Sequence, residues 1–109
     1  MSRDHGLEEL LDSDLQGLSG LSSKPMFGGW AWLLNGNLLC GSRDDGMLAR
    51  IGRANEAWAL MMPGVAPMMS RGKPMGGWVR ANPDAYGDDA TRRKLLDAAL
   101  AFNAMLPEK

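Results

Sequence analysis

Two short phrases of the sequence carry residue types that could bind an anion. The chain reads KPMFGGW at residues 24–30 and KPMGGW at residues 73–78. Lysine and arginine side chains beside glycine backbone amides can hold a phosphate or a carboxylate group. The anion pocket that this pattern predicts combines both phrases with their basic neighbours: Lys24, Gly28, Gly29, Arg71, Gly72, Lys73, Trp78 and Arg80.

The same phrases also fit a purely structural role, which we take as the main interpretation. Pro25 and Pro74 fix φ and keep the preceding lysine extended. The glycine pairs that follow would let the backbone pass close to another segment. On this interpretation each phrase starts a strand, and Trp30 and Trp78 anchor the two strands.

The sequence contains few side chains that could act as nucleophile, acid or base, and they do not have the spacing of a known catalytic motif. His5 is the single histidine, so any nucleophilic pair would have to use a residue near the chain start. Cys40 is the single cysteine, and we expect it to be a buried, unreactive thiol. Asp44 and Asp45 fit a turn. We therefore expect neither an enzyme nor a metal or cofactor site.

Length and charge limit the class of protein. The 109 residues suit one domain, 1–109, and 45% of them are hydrophobic, which is enough for a core. Residues 1–23 hold five acidic side chains against Arg3, whereas residues 24–83 hold seven basic against three acidic ones. A duplex-DNA binder carries a stronger basic excess, so nucleic acid is the less favoured partner.

The first residues and the lengths of the hydrophobic runs indicate where in the cell the protein is found. The opening MSRDHGLEELLD is acidic and has no apolar run, which excludes a signal peptide. No stretch approaches the roughly 20 apolar residues of a membrane span. We expect a cytoplasmic protein that does not bind membranes.

Helical spacing and turn dipeptides divide the chain into elements. Asp4 is the expected N-cap of a first helix, and Asp88 or Asp89 that of a long last one. Asn35-Gly36 between apolar runs indicates a hairpin, and Pro67 places its own strand near a sheet edge. The predicted order is α-β-β-β-α-β-β-α. Because hairpins dominate, we predict an α+β fold of two layers, an antiparallel sheet with helices on one face.

The first predicted hairpin is apolar on both faces. A two-residue loop would pair Leu34 with Asn37 and Trp32 with Leu39. One face then carries Trp30, Trp32, Leu34 and Leu39, and the other carries Ala31, Leu33, Leu38 and Cys40. A second two-residue loop at Asp45-Gly46 would add Arg50 to the tryptophan face, whereas a three-residue loop would reverse the faces.

We predict that the Cys40 face, extended by Met47, Ala49 and Ile51, is the core. The tryptophan face, with Arg50 stacked on an indole, would then be an exposed docking surface. A homodimer through this face is the simplest occupant, and an unknown protein partner is the other. Coverage by the chain's own helices or loops stays open as the alternative.

Three stretches carry a family resemblance. PMFGGWAWLLNGNLLC, DGMLARIGRANEAW and RGKPMGGWVRANPDA resemble the TfoX N-terminal domain family, named for a bacterial competence regulator, over about 24–83. The resemblance implies an α-β(3)-α-β(2)-α fold similar to secretion chaperones. It also implies a non-enzymatic regulatory role linked to transcription or competence.

This sequence departs from the family in three respects. Full-length competence regulators resemble this chain followed by a second domain, so we expect a domain and not a complete regulator. Gly76 stands where the family usually has a bulky or charged residue. Tryptophan replaces the more usual tyrosine at Trp30 and Trp78. The resemblance supplies no catalytic residues.

Overall fold

Side-chain caps set the starts of the two long helices. In the computed structural model, which describes residues 4–26 and 28–108, the Asp4 carboxylate accepts a hydrogen bond from the backbone N–H of Leu7 at 3.0 Å. Asp88 accepts one from Thr91 N–H at 2.9 Å. Each satisfies a donor that the first helical turn leaves unpaired. Asp4 and Asp88 are thus the N-caps that the sequence predicts.

The described residues form four α-helices and six strands, which are joined by turns and short loops. The helices are α1 (His5–Leu15), α2 (Glu56–Leu60, preceded by a 3-10 turn at Arg53–Asn55), α3 (Pro83–Gly87) and α4 (Asp89–Asn103). The strands are β1 (Leu21–Met26), β2 (Gly29–Leu34), β3 (Asn37–Arg43), β4 (Gly46–Arg50), β5 (Val65–Ser70) and β6 (Lys73–Ala81).

The strands form one antiparallel sheet in the order β1-β2-β3-β4-β6-β5. The predicted α+β class and element order are confirmed, with β1 and the short α3 as additions. The prediction that the first phrase starts a strand is wrong, because Lys24, Pro25 and Met26 are the last residues of β1, and Met26 pairs with Gly29 at the start of β2. Pro67 lies in edge strand β5, as expected.

An irregularity in the first predicted hairpin changes which side chains share a face. Leu34 pairs with Asn37 as predicted, and Asn35 and Gly36 both have positive φ, at 54° and 83°. The register then shifts, so that Trp32 pairs with Cys40 and Leu39 is an extra residue on β3. This β-bulge, called here the Leu39 bulge, moves Trp32 onto the face that carries Cys40.

All four helices cover one face of the sheet. The main buried cluster combines residues of every helix, such as Leu11, Ala59, Ala85 and Leu96, with strand residues that include Trp32. Four of the predicted core residues are confirmed by their lack of exposure: Cys40, Met47, Ala49 and Ile51. Leu33 and Leu38, predicted on the same face, are only half-buried, and Leu38 packs on the opposite side of the sheet. The opposite face holds a smaller cluster made of strand residues alone: Leu48, Met68 and Trp78, with Leu38 and Met75 packed against it.

The predicted docking surface on the tryptophan face is wrong in its central residues. Trp32 is 1% exposed and Leu39 is 0% exposed, so neither has surface left for a partner. Trp30 and Leu34 are half-buried against the main cluster. The cause is the Leu39 bulge, since one extra residue turns the side chains beyond it to the other face.

Acidic side chains tie α1 to the rest of the domain. The indole Nε1–H of Trp32 donates to Asp12 at 2.8 Å, and the hydroxyl of Tyr86 donates to Asp4 at 2.8 Å. The buried guanidinium of Arg92 donates to Asp14 at 2.7 Å. The helix is therefore fixed by polar contacts at both ends as well as by its apolar face.

The bond between Trp32 and Asp12 predicts a measurable coupling energy. We expect Trp32→Phe and Asp12→Ala each to lower the free energy of unfolding. We expect the double variant to lose about 1 kcal/mol less than the sum, because the shared bond is lost only once. Urea unfolding of the four proteins measures this, and strictly additive losses would show that the bond contributes nothing.

The Asp4 cap predicts an acid-sensitive component of stability. Hydrogen bonds from Leu7 N–H and from Tyr86 lower the pKa of Asp4 below its ordinary value of 3.8. The stabilisation is therefore complete above that ordinary value and is lost as the pH falls through the lower folded-state pKa. We expect Asp4→Asn, which still caps the helix, to show a smaller loss of stability on acidification. Unfolding curves recorded across this pH range compare the two proteins, and equal losses would contradict the assignment.

Candidate functional site

Gly76 and Gly77, the glycine pair of the second phrase, lie in a large irregular bulge of β6. Pro67 of β5 pairs with Val79, but the next pair is Met69 with Pro74. The four residues from Met75 to Trp78 therefore face the single residue Met68 of the edge strand. Bulges of this kind bend a strand away from its neighbour and are frequent beside functional sites.

Gly77 holds the bulge against the turn between β4 and α2. Its carbonyl accepts hydrogen bonds from the N–H groups of Ile51 at 2.9 Å and Gly52 at 3.0 Å. Its own N–H donates to the Glu56 carboxylate. The backbone of Gly77 has φ of 84°, in the region that favours glycine. The close backbone approach that the sequence predicts for this glycine pair is made to the Ile51-Gly52 turn through these hydrogen bonds. A Cβ at Gly77 would stand 3.5 Å from the Cα of Gly52, which is an ordinary contact distance, so it is the positive φ that favours glycine here.

Gly76 leaves the space that the Arg53 side chain occupies. A Cβ at Gly76 would lie 2.3 Å from Nη2, 2.4 Å from Cζ and 2.8 Å from Nε of Arg53. The guanidinium thus lies directly over the glycine backbone, although Arg53 as a whole is exposed. A residue with a side chain at this position could not coexist with that placement of Arg53.

A second guanidinium is held on the other side of the same turn. The Cζ atom of Arg50 lies 5.4 Å from the centre of the Phe102 ring, within the range of a cation–π contact. Arg50 is half-buried, and Phe102 of α4 is half-buried as well. The prediction that Arg50 stacks on an aromatic ring of the sheet is wrong, because the ring comes from the last helix and is not an indole.

Two clefts lie on either side of Gly76. The first, called here the arginine cleft, has a volume of about 330 Å³ and is lined by Arg50, Gly52, Arg53, Gly76, Gly77 and Phe102. The second, called the edge cleft, has a volume of about 260 Å³ and is lined by Arg53, Glu56, Leu60, Pro67, Pro74, Met75, Gly76 and Trp78. The two share Arg53 and Gly76, so one bulge shapes both.

Among the described residues, the two arginines of the arginine cleft lack the carboxylate partners that four other arginines have. Arg43 and Arg80 lie within 4 Å of Asp45, Arg92 contacts Asp14 and Asp89, and Arg93 contacts Asp97. Within residues 4–26 and 28–108, neither Arg50 nor Arg53 takes part in an ion pair. The arginine cleft therefore carries positive charge that the described side chains do not neutralise.

The structure does not bring the predicted anion-pocket residues together. Lys24 lies on edge strand β1, with Gly28 and Gly29 just after it, and β2, β3 and β4 separate this strand from β6. Arg71 and Gly72 form the exposed turn before Lys73, with φ of 54° and 79°. The single pocket built from both phrases is thus wrong, because the phrases lie on distant strands.

The remaining two pocket residues are already engaged. The guanidinium of Arg80 donates to the carbonyl of Asp45 at 2.9 Å. Trp78 is only 6% exposed and belongs to the small apolar cluster. Sequence reasoning missed Arg53 and Phe102. The signal that could have found Arg53 is its spacing from Arg50 across Gly52, at the end of a strand.

Other chemistry is sparse in the described residues. Cys40 is fully buried, and burial raises the pKa of its thiol far above the ordinary value, so it is unreactive as expected. Residues 4–26 and 28–108 hold no group of three or more His, Cys, Asp or Glu side chains placed to bind a metal ion. The helices in these ranges are too short or too polar to cross a bilayer.

Comparison with known proteins identifies one family. The family model described as the TfoX N-terminal domain matches residues 13–103. This range contains every strand, both clefts and all of α2, α3 and α4. No curated protein and no solved structure matches the chain.

The different surroundings of the two glycines predict different effects of alanine. Gly77→Ala must hold an L residue at positive φ, so we expect it to lower the free energy of unfolding by about 1–2 kcal/mol. Gly76→Ala has no such strain and meets only the end of a flexible side chain, so we expect a smaller loss and a displaced Arg53. Urea unfolding of both variants tests this. Equal losses would contradict the assigned role of Gly77.

Proposed function

This chain belongs to the TfoX N-terminal domain family, and we propose that it is a regulatory domain that acts by binding protein, first of all a second copy of itself. The family is regulatory and not catalytic. The proposed setting is the control of competence or of transcription, in the cytoplasm. Within this setting the domain would transmit its effect through contact and not through a reaction.

The edge cleft is the observation that carries the proposal. Five of its eight lining residues are apolar or aromatic, namely Leu60, Pro67, Pro74, Met75 and Trp78, and Arg53, Glu56 and Gly76 complete the lining. Leu60 is 38% exposed, and Met69, which pairs with Pro74, is 45% exposed. Apolar and aromatic side chains gathered in a shallow cleft are typical of protein contact sites.

Met61 supports a second copy as the partner. It follows Leu60 directly and is 83% exposed, so a flexible apolar side chain projects beside an apolar cleft. A twofold dimer needs one patch that is complementary to itself. Met61 of one copy facing the edge cleft of the other, and the reverse, meets this requirement, and methionine adapts well to such a cavity.

The sheet edges favour this mode of association over strand pairing. Edge strand β1 carries exposed Lys24 and Pro25, and edge strand β5 carries exposed Pro67. Proline has no N–H to donate to a new ladder, and lysine on an edge discourages pairing. A contact through side chains of α2 and the β6 bulge avoids both obstacles.

Light scattering of the purified chain over a range of concentrations tests this function. We expect a monomer–dimer equilibrium whose dissociation constant rises at least about tenfold in Leu60→Lys, because a charge is buried at the interface. Leu18→Lys is the matched control, since Leu18 is 37% exposed and lies outside the edge cleft, next to β1.

Two results would count against the proposal. A chain that stays monomeric into the millimolar range would exclude self-association of functional strength. A dimer that Leu18→Lys weakens as much as Leu60→Lys would show that the edge cleft is not the contact. Thermal unfolding of both variants checks that the fold is intact.

A further inference from the structure

We propose that the arginine cleft binds a small anionic ligand, whose carboxylate or phosphate group lies between the guanidinium groups of Arg50 and Arg53. This site shares Arg53 and Gly76 with the edge cleft but is set apart by Arg50, Gly52 and Phe102, and the proposal does not depend on self-association.

The first support is unneutralised charge in a concave place. Arg50 and Arg53 line one cleft, and within the described ranges neither has a carboxylate within ion-pair distance. The nearest acid in sequence, Glu56, lines the neighbouring cleft and accepts the N–H of Gly77. An anion in the arginine cleft would therefore meet two guanidinium groups, while the Glu56 carboxylate, which lines the edge cleft with Arg53, is held by Gly77 and lies beyond ion-pair distance of both.

The second support is that a ring contact positions the Arg50 guanidinium before any ligand arrives, and that Gly76 leaves the space in which the Arg53 guanidinium lies. Arg50 stacks against Phe102 at 5.4 Å, and Arg53 lies over Gly76. Binding normally costs conformational entropy when a long side chain is ordered, and prior ordering lowers this cost. Guanidinium forks also match the geometry of carboxylate and phosphate oxygens.

The backbone N–H groups of Gly52 and Gly77, which line the cleft, do not contribute to the site. The N–H of Gly52 donates to the Gly77 carbonyl, and the N–H of Gly77 donates to Glu56. The anion would thus be held by side chains, unlike the glycine-amide pocket that the sequence phrases predict. It follows that removing one guanidinium should remove a large share of the affinity.

The size and charge of the site indicate a small molecule. A volume of about 330 Å³ lies at the low end of the range for small-molecule sites. A polyanion such as nucleic acid needs an extended basic surface, whereas the formal net charge of this chain is −1. The half-buried Phe102 ring beside Arg50 offers an apolar contact for the body of the ligand.

NMR titration of the full chain, following the Nε–Hε signals of its arginines, tests the site. The probes are inorganic phosphate and acetate, each compared with sodium chloride at equal ionic strength. We expect saturable shifts of the Arg50 and Arg53 signals with at least one probe. Tighter binding of phosphate would indicate a phosphorylated ligand, and tighter binding of acetate a carboxylate ligand.

Three variants make the test specific. Arg53→Gln should weaken binding about tenfold or more, equal to about 1.4 kcal/mol. Gly76→Ala should also weaken it by moving Arg53. Arg71→Gln is the matched control, because Arg71 is exposed, is in no ion pair among the described residues, and lies outside the cleft. Arg53 is itself exposed, so its replacement should leave the fold intact, which thermal unfolding verifies.

The proposal is overturned by any of three results. Shifts that do not saturate with either probe would mean that no site exists. Equal shifts with chloride would mean general ionic screening. Loss of binding in Arg71→Gln with retention in Arg53→Gln would place the anion at the β5–β6 turn instead.

Discussion

The Leu39 bulge brings Trp32 and Cys40 onto the same face of the sheet, the face that the helices cover. With one extra residue on β3, Trp32 lies opposite Cys40 and enters the main cluster, where its indole N–H reaches Asp12 of α1. Burial of so large a side chain is worth roughly 3–5 kcal/mol, judged by the cost of truncating one. Without the bulge, Trp32 would lie on the face without helices, and Asp12 would lose its partner.

On the sheet face without helices, the apolar strand side chains bury one another. Leu48 and Met68 are 0% and 1% exposed there, although no helix residue belongs to their cluster. Ala31 and Gly41 pair across the middle of this face, and both are buried. An apolar face therefore does not by itself require a partner. Part of the apolar surface that remains open, at Leu60 and Met69, lies beside the β6 bulge.

Local signals predicted the elements, whereas the site depended on features that a sequence pattern does not encode. The Asp4 cap and the Asn35-Gly36 turn each act within a few residues, so their types suffice. The Leu39 bulge shifts the register that the turn alone would set, and no residue type marks it. Because the face of every later side chain depends on register, a correct hairpin gave wrong face assignments.

At the candidate site, too, the local pattern was predictable from the sequence and the long-range contacts were not. The second phrase was recognised as unusual, and its glycines do permit a close approach, but the partner of Gly77 is the turn at Gly52 and not the first phrase. Which distant segments meet is a property of topology, since the strand order places β4 beside β6 and β1 at the far edge. Arg53 is visible in the sequence as one more basic residue. Its position over Gly76 can be inferred only when β4 and β6 are known to be neighbours.

The distribution of charge explains why this acidic chain can hold a positive cleft. Three acids of the N-terminal segment, Asp4, Asp12 and Asp14, are engaged by hydrogen bonds that fix α1. Asp45 is likewise engaged by two arginines. Acids held in this way are not available to neutralise Arg50 and Arg53, and at physiological ionic strength charges more than roughly 8 Å away are largely screened. The charge that a ligand meets is therefore set by the side chains lining the cleft, and the net charge of the chain says little about it.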